Sequence, residues 1–490
     1  MRKMASRPRL VRGDCRVGSW AALLVAIVPF GFLACVGDDP GTALSTDAGI
    51  ASDVLTGPDA PGNDAQSAQN AAPGAPSNVE AAAVAVVATV STLAGALPGF
   101  LDATGTAAKF SEPRGIAVDT LGTIYVADKA NHRIRKVSPT GVVTTLAGTG
   151  ATAFAEGNPG TATFFLPHGV AVNTTGFVYV ADAGNNRIRV VTPSGIVSTL
   201  AGGAAGDYIN ANGGNARFFG PTDVALDASN NVYVSDQINQ RLRFVTAAGD
   251  VSLIAGSGVA EFNNGQGAAA GFAYASGVAV SSGSVWLADT NNERIRKVSS
   301  GGIATTLAGS ALSAPFADGT GAAATFNRPT GLALDAAGNA YIAESGGHRI
   351  RKVSPAGVVT TLAGTGQAAF ADGPAASAAF EGPMGMAVDA AGNVYVCDSG
   401  NHRIRKIVTV GAKELTVRWN APSSVGSSAI TGYEATAAAT GETARTCTTT
   451  GTLTCKITGL TSGVAYNVAV TASNAAGTSA ASTPSVATPN

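Results

Sequence analysis

Short hydrophobic runs, each ended by Gly, Pro or Asp, recur along residues 90–408. The pattern is clearest where residues 113–148 and 329–364 are compared: PRGIAVDTLGTIYVADKANHRIRKVSPTGVVTTLAG and PTGLALDAAGNAYIAESGGHRIRKVSPAGVVTTLAG. β-branched residues inside the runs and Gly or Pro between them favour strands joined by turns over amphipathic helices. Each unit therefore predicts four antiparallel strands.

The unit occurs six times. An acidic residue ends the second run of each copy, and these acids follow one another at nearly constant intervals: Asp128, Asp182, Asp236, Asp289, Glu344 and Asp398. Such a regular period predicts one supersecondary unit per copy. Four antiparallel strands repeated radially form a β-propeller. We therefore predict an all-β chain whose residues 88–410 form a six-bladed β-propeller.

The fourth strand of the ring is displaced in the sequence. Its pattern precedes the first copy, at Thr92–Gly95, and no counterpart follows the last copy. We predict that this N-terminal segment, TVSTLAG, pairs as a latch strand with RIRKIV of the sixth copy. Such a latch leaves no open edge on the ring.

The repeats resemble the NHL repeat, whose six copies form a six-bladed propeller. The A-D-x-x-N-x-R-I core is met by ADKANHRI, ADAGNNRI, ADTNNERI and CDSGNHRI, whereas SDQINQRL and AESGGHRI depart from it. The long loops, such as PFADGTGAAATF, are similar to those of bacterial, teneurin-like NHL arrays. The resemblance covers about two-thirds of the chain and implies the same ring.

Residues 411–488 resemble a fibronectin type III sandwich, through alternating apolar residues, Trp419, and the spacing from Leu460 to Tyr466. The resemblance, with the CTTTGTLTC stretch, implies a local disulfide between Cys447 and Cys455 across a hairpin of an exported protein. The first strand of such a domain is missing there, but its Pro-rich signature appears at residues 73–81, within a first strand predicted over residues 73–86. We expect the propeller to be inserted between the first and second strands. The alternative is that residues 73–81 are linker and the sandwich lacks a strand.

The N-terminus predicts export. A basic stretch precedes the apolar run Trp20–Ala34, which is too short for a comfortable membrane span and is typical of a secretory signal over residues 1–34. Phe32-Leu33-Ala34-Cys35 resembles a bacterial lipobox, although Phe32 replaces the usual Leu, and implies lipidation of Cys35. Residues 35–72, rich in Ala, Gly, Pro, Ser and Asp, predict a disordered acidic tether. We expect an outer-membrane or cell-surface lipoprotein, or else a secreted protein with an incidental Cys.

Charge and composition limit the partners. The net charge of −1 divides into about +5 over residues 1–34 and −6 over the rest, without a basic stripe. Nucleic-acid binding is therefore not predicted. We also find no serine-nucleophile motif, phosphate loop or paired-cysteine metal spacing.

The candidate ligand site consists of six residues that occupy the same position in each copy but vary in type. They occupy the variable position of P-x-G, or its counterpart, before each innermost strand, which in propellers faces the axial mouth: Arg114, His168, Thr222, Ser276, Thr330 and Met384. Related six-bladed enzymes hold a metal with several axial histidines. This ring has one, so three-ligand zinc geometry is not available from it, and no metal site or other cofactor is predicted there.

The remaining polar residues are interpreted as structural. His132, His348 and His402 fill one slot of the repeat and cannot converge on a single ion. The recurrent acids are expected to cap turns and to pair with the first arginine of R-x-R, which is Arg133 in the first copy. Loop acids could hold calcium singly or form a recognition rim, with turn structure as the alternative: Asp102, Glu156, Asp318 and Asp372. Cys397 is expected to be a buried free thiol.

The preferred interpretation is a secreted, lipid-anchored and non-enzymatic protein that binds a protein, peptide or glycan on one propeller face. One alternative is a lyase- or lactonase-like enzyme whose site lies at the axial mouth near His168 and Arg114. The other is a purely architectural surface protein. Fold analogy alone does not decide among them.

Overall fold

The computed structural model describes residues 71–83, 87–281, 283–310, 316–410, 414–461 and 463–489. The predicted signal, Cys35 and nearly all of the predicted tether lie outside these residues. The described chain consists of β-strands and short 3-10 turns, which confirms the all-β prediction. No helix in these ranges has the length and apolar character needed to cross a membrane.

The first sequence copy forms a four-stranded antiparallel sheet, which we call blade 1. Its strands follow the four predicted runs: β3 (Pro113–Val118), β4 (Ile124–Asp128), β5 (Arg133–Val137) and β6 (Val143–Ala147). Strand β4 is buried along its whole length, because both of its faces pack against neighbouring sheets. Its continuous apolar sequence reflects this environment, since a strand with one solvated face would alternate.

Five further sheets repeat this arrangement and are named blades 2 to 6 in chain order. Blade 2 contains β7 (Pro167–Val172), β8 (Val178–Asp182), β9 (Arg187–Val191) and β10 (Val197–Ala201). Blade 3 contains β11 (Pro221–Leu226), β12 (Val232–Asp236), β13 (Arg241–Val245) and β14 (Val251–Ala255). Blade 4 contains β15 (Gly265–Gln266), β16 (Val278–Ser281), β17 (Ser284–Asp289), β18 (Arg294–Ser299) and β19 (Ile303–Ala308).

Blade 5 contains β20 (Gly319–Thr320), β21 (Pro329–Leu334), β22 (Ala340–Glu344), β23 (Arg349–Val353) and β24 (Val358–Ala363). Blade 6 contains β25 (Gly373–Pro374), β26 (Pro383–Val388), β27 (Val394–Asp398), β28 (Arg403–Val410) and, from the N-terminal side, β2 (Val87–Ala94). Short 3-10 turns occur between strands: Gly105–Ala107, Lys129–Asn131, Ala183–Asn185, Gly213–Asn215, Gly267–Ala269, Thr290–Asn292 and Gly321–Ala323.

The innermost strands contact one another in a closed cycle, β3–β7–β11–β16–β21–β26 and back to β3. The apolar core lies between adjacent sheets. One cluster, for example, joins Tyr125 and Ala127 of blade 1 to Val170 and Val180 of blade 2. Each interface also buries a phenylalanine from the loop that enters the next blade, such as Phe164. The repeats thus bury a continuous core only by stacking on their neighbours.

The N-terminal latch strand is confirmed. Strand β2 pairs antiparallel with β28, and Val90 lies opposite Ile407 in this ladder. Val90 and Ile407 are both buried and share a cluster with Val394 and Phe380 of blade 6. The ring therefore closes by hydrogen bonds and apolar packing between segments from the two ends of the propeller sequence.

The C-terminal part forms a sandwich of two sheets. One contains β1 (Ser77–Ala83), β29 (Glu414–Asn420) and β32 (Thr454–Thr458). The other contains β30 (Gly432–Ala438), β31 (Arg445–Thr449), β33 (Tyr466–Asn474), β34 (Gly477–Thr478) and β35 (Ser485–Ala487). Trp419, Tyr433 and Tyr466 are buried between the sheets.

Two details of the sandwich bear on the sequence predictions. Strand β1, which precedes the propeller in sequence, pairs antiparallel with β29 and supplies the edge that residues after 413 lack. The disulfide between Cys447 and Cys455 is present. However, it joins β31 to β32, which belong to different sheets. The bond therefore links the two layers of the sandwich and does not cross a hairpin of one sheet.

Candidate functional site

The six predicted mouth residues line one axial cavity of about 440 Å³. Five of them follow the proline that opens an innermost strand, and Ser276 follows Ala275 at the equivalent place in blade 4. The ring of strands thus brings one position from each copy to a common opening. Their side chains differ in charge, size and polarity, unlike the recurrent residues of the blades. Cavities of this volume accommodate small organic ligands or the end of a longer chain.

Glycines below these residues set the width of the cavity. In five blades the residue after the variable position is glycine, and the backbones of adjacent innermost strands nearly touch there. A Cβ on Gly331 would lie 1.9 Å from the Met384 carbonyl oxygen, and one on Gly385 would lie 2.1 Å from that of Arg114. In these five blades a side chain does not fit at this level, so the variable residues above it supply most of the chemistry of the mouth.

Blade 3 departs from the glycine pattern with Asp223. Its carboxylate also lines the cavity. Oδ2 accepts a hydrogen bond of 3.0 Å from the backbone N–H of Val278 in blade 4. Burial raises the pKa of Asp223 to about 7, against the lowering effect of hydrogen bonds from Val278 and Val224. Sequence reasoning missed this residue, although its departure from glycine in one of six aligned copies was a usable signal.

Arg114 is the main cationic group of the mouth. Its Nη1 lies 3.5 Å from Met384 Sδ, and its buried Nε has no hydrogen-bond partner. Burial lowers the pKa of Arg114, while the charge of Glu112 opposes this effect and that of Arg328 adds to it. Glu112 itself forms an ion pair with Lys129 at 2.8 Å. Arg114 therefore faces the cavity without a carboxylate of its own.

Arg328 is the second cationic group and was also missed by sequence reasoning. It immediately precedes the proline that opens β21, in a left-handed conformation with φ of 51°. Its side chain lies on the rim of the cavity. Its backbone N–H donates to Glu293, but no ion pair involving its guanidinium is found among the described residues. The mouth thus has two arginines that lack acidic partners.

His168 contributes a neutral ring. Burial lowers its pKa to about 3, and the charges of Arg114 and Lys129 act in the same direction. Within the described ranges, no three His, Cys, Asp or Glu side chains lie together as a metal site would require. The imidazole can donate or accept hydrogen bonds but carries no charge at neutral pH.

The remaining polar mouth residues are engaged within the ring. Thr330 Oγ1 donates to the Ala343 and Pro383 carbonyls at 3.2 and 3.3 Å. Thr222 Oγ1 donates to the Ser235 carbonyl at 3.4 Å. Ser276 Oγ lies 2.7 Å from Thr290 Oγ1, which in turn bonds the Pro329 carbonyl. Their hydroxyls therefore support the wall, whereas the cavity's ionisable groups come from four other residues: Arg114, His168, Asp223 and Arg328.

The predicted pairing of the recurrent acids with the first arginine of R-x-R is wrong. Arg133 lies opposite Asp128 in the ladder. However, its guanidinium lies at the hairpin end, donates to backbone carbonyls and stacks on Phe100. The second arginine, Arg135, is fully buried, and its Nη1 lies 2.7 Å from Asp128 Oδ2. Every blade repeats this buried pair, because the carboxylate points into the core and only the inner arginine reaches it.

Three of the four loop acids accept hydrogen bonds from these inner arginines. The pairs are Asp102 with Arg135, Asp318 with Arg351, and Asp372 with Arg405. Each of these aspartates also accepts a hydrogen bond from a backbone N–H of the fourth strand of its blade. Glu156 accepts only from the Thr199 N–H among the contacts of the described chain. Each carboxylate is thus occupied by protein donors, which is the turn-structure alternative of the sequence analysis. Calcium binding there stays a prediction.

The histidine slot joins neighbouring blades. His132 Nδ1 accepts a hydrogen bond of 3.1 Å from the Leu166 N–H of the next blade. In the other five blades, the residue of this slot also accepts a hydrogen bond from a backbone N–H of the following blade: Asn186, Gln240, Glu293, His348 and His402. The donor for His402 is the Glu112 N–H of blade 1, so this contact crosses the closure of the ring. We call these six contacts the inter-blade clasps. Cys397 is buried and free, against the Gly115 carbonyl.

Comparisons with known proteins agree with this architecture. The model of the NHL repeat matches residues 110–137, 166–191, 272–298, 326–353 and 380–407, and that of the fibronectin type III domain matches residues 404–488. Blade 3, which carries Asp223, is the copy without a match. The chain is 28% identical to NHL repeat-containing protein 2 of Bos taurus over 62% of its length and 47% of that protein. It is 31% identical to Teneurin-3 of Danio rerio over 48% of its length and 10% of that protein.

A solved structure shares the fold. An auxiliary nutrient binding protein from Bacteroides ovatus superposes with a TM-score of 0.50 at 17% identity, covering 66% of this chain and 77% of that one. Such identity shows the fold alone. The repeats, the closed ring and the latch together define a β-propeller of the NHL type. The chain carries NHL repeats in this propeller, and its second domain is a fibronectin type III domain.

Proposed function

We propose that this chain is an exported, surface-bound binding protein whose propeller recognises a protein, peptide or glycan at the axial mouth. The main support for this proposal is that six residues, which differ between copies, line one cavity of about 440 Å³. The recurrent polar residues are occupied by the buried pairs and the inter-blade clasps. Specific recognition therefore falls to the residues that differ between copies.

The comparisons support a binding role in general terms. NHL repeats relate this chain to several larger proteins, and it spans less than half the length of those that it matches. The Bacteroides ovatus structure is described as an auxiliary nutrient binding protein and has the same fold. A comparable binding role for this chain is part of our proposal.

We further propose that Cys35 is lipidated and that residues 35–72 tether the protein to a membrane surface. In this arrangement the propeller is inserted between the first and second strands of the sandwich. The pairing of β1 with β29 supports the insertion, because the two strands lie on opposite sides of the propeller in the sequence. The sandwich would then hold both ends of the ring, with the mouth left free for a ligand.

The test uses full-chain protein on glycan and peptide arrays, with a blocked-mouth variant. His168→Trp fills the cavity with a bulky side chain and should abolish the wild-type signals. Leu121→Trp is the matched control, since Leu121 is exposed in the turn at the opposite end of an innermost strand. Signals that persist in His168→Trp would overturn the axial site. An array without any signal would favour the architectural alternative.

A further inference from the structure

The axial cavity has a charge arrangement that limits its ligands. Its wall includes four ionisable side chains: Arg114, His168, Asp223 and Arg328. His168 is neutral, and neither arginine has a carboxylate partner among the described residues. The nearest outside carboxylates, Glu112 and Glu293, are occupied by Lys129 and by the Arg328 backbone N–H. When Asp223 is protonated, the mouth therefore carries a net positive charge, since neither guanidinium forms an ion pair in the described chain.

An unpaired guanidinium next to an apolar wall favours an anion. Arg114 forms no ion pair within the described residues, and its Nη1 lies 3.5 Å from the Met384 Sδ. Planar guanidinium groups match the geometry of carboxylates and form short, charge-assisted hydrogen bonds with them. The walls below are aliphatic, from Ile116, Val170 and Leu332 among others. The complementary ligand has one anionic group and a compact body.

The protonation state of Asp223 affects whether an anion can bind. It replaces the glycine of the other blades, and its Oδ1 lies 2.2 Å from where a Cβ on Gly169 would be, so the carboxyl group reaches toward blade 2. Oδ2 bonds to blade 4. An ionised Asp223 would repel an incoming anion, whereas a protonated one could donate a hydrogen bond to it.

We propose that the axial mouth binds a carboxylate, carried by a small molecule or by a chain end, through Arg114 and Arg328 when Asp223 is protonated. This inference rests on the proposed function and assigns the ligand class of the same site. Once Asp223 is ionised, it would repel a phosphate dianion more strongly than a carboxylate, because the dianion carries up to twice the charge.

Calorimetric titration of the full-chain protein tests the assignment with three matched probes: glucuronate, glucose and glucose 6-phosphate. Glucuronate should bind at least about tenfold more tightly than glucose at pH 6, as expected for a charge-assisted contact. Arg114→Gln should lose this preference, and Arg445→Gln, at an exposed arginine of the sandwich, should keep it. Equal binding of glucose, or an unchanged preference in Arg114→Gln, would overturn the assignment. Tight binding of glucose 6-phosphate would assign the site to anions in general and also contradict it.

The pH arm uses Asp223→Asn, which keeps an oxygen acceptor for Val278. The pKa of Asp223 is about 7, so the ionised fraction rises between pH 6 and pH 8. Wild-type affinity for glucuronate should fall by up to about tenfold over that interval. The Asp223→Asn affinity should be flat with pH. A wild-type affinity independent of pH, or an unchanged slope in Asp223→Asn, would show that protonation of Asp223 is not required.

A peptide with a free C-terminal carboxylate and its amidated twin distinguish the two sources of the group. Preference for the free peptide over glucuronate assigns the site to chain ends, and the reverse preference assigns it to small acids. The two proposals fail separately. If array ligands are lost in His168→Trp but prove uncharged, the axial site stands and the carboxylate assignment falls. If the array signals survive that substitution, the axial site itself is wrong.

Discussion

At the scale of single residues, the ion pair between Asp128 and Arg135 shows how a blade is held. Both side chains are fully buried, and Arg135 also packs between the rings of Phe100 and Phe110. Removal of one partner from a buried pair leaves an uncompensated charge, which costs about 3–5 kcal/mol. The six copies of this pair therefore act as local supports of the ring.

We predict that Arg135→Ala lowers the free energy of unfolding by about 3–5 kcal/mol. The matched control is Arg133→Ala, which removes a partly exposed guanidinium from the same strand and should cost at most about 1 kcal/mol. Urea unfolding followed by circular dichroism measures both. Equal losses in the two variants would contradict the assignment of the supporting role to the inner arginine.

The clasp of His132 predicts a pH dependence. Burial lowers the pKa of His132, with the charges of Arg133 and Lys129 acting in the same direction. The unfolded chain then binds more protons than the folded one below about pH 6.5, so this contribution is full above that pH and is lost as the pH falls. His132→Asn keeps an acceptor, as Asn186 does in blade 2.

Wild-type protein should therefore lose more stability between pH 7 and pH 5 than His132→Asn does. Urea unfolding of both proteins at the two pH values measures the difference, and their stabilities at pH 8 serve as the reference. Parallel losses in the two proteins would show that protonation of His132 does not weaken the clasp.

Sequence reasoning located the ring of mouth residues but not its chemistry. Arg114 and His168 follow from the repeat alignment because their backbone positions are equivalent. Asp223 was passed over because glycine was treated as background, and Arg328 because it reaches the cavity from outside the aligned position, on a left-handed backbone. The partner of Asp128 was misassigned because the strand register places Arg133 opposite it. The Asp128 carboxylate instead points into the core, where it meets the buried Arg135.

At the scale of elements, the latch strand carries the closure of the ring. In β2, Val90 is buried and the adjacent Thr89 is exposed. This alternation offers a matched pair of substitutions in one strand. A charge at the buried position must be desolvated, whereas the same charge at the exposed position stays in water.

We predict that Val90→Asp opens the latch and lowers the free energy of unfolding by at least about 3 kcal/mol, while Thr89→Asp stays within about 1 kcal/mol. Limited proteolysis gives a second readout, because a released β2 should be cleaved ahead of the first copy. Similar resistance of the two variants would mean that the ring closes without this strand.

The strand positions of the propeller were predictable because all six copies have turn residues at the same places. Alignment of the copies therefore defines the strand boundaries better than one copy alone. The sandwich has no such repetition. The spacing from Cys447 to Cys455 suggested a simple hairpin, yet β31 and β32 part into different sheets. Two strands joined by a short loop can pair or can change layers, and local sequence does not distinguish these outcomes.

At the scale of the whole molecule, the pairing of β1 with β29 ties the sandwich to both sides of the propeller in sequence. Deletion of residues 73–81 should lower the melting temperature of the sandwich by several degrees, because it removes one of three strands from a sheet. The propeller should keep its melting temperature, since its latch begins later, at Val87.

The sandwich can be followed by the fluorescence of Trp419 in protein produced without residues 1–34. Trp286 of the propeller is replaced by tyrosine for this purpose, since tyrosine occupies the same place in the other blades. Circular dichroism then follows the ring. A sandwich that melts unchanged after the deletion would refute the insertion and leave β1 as a dispensable edge.

Strand β1 also sets an order in time. Its last residue, Ala83, is synthesised before the propeller, and Glu414, the first residue of its partner β29, is synthesised after it. Because chains grow at about 5–20 residues per second, β1 waits on the order of tens of seconds for this partner. The strands of all six blades lie within this interval, so their residues are synthesised before β29. The sandwich therefore cannot pair β1 with β29 until the whole ring has been synthesised, and a chain that ends anywhere in the ring leaves β1 without its partner strand.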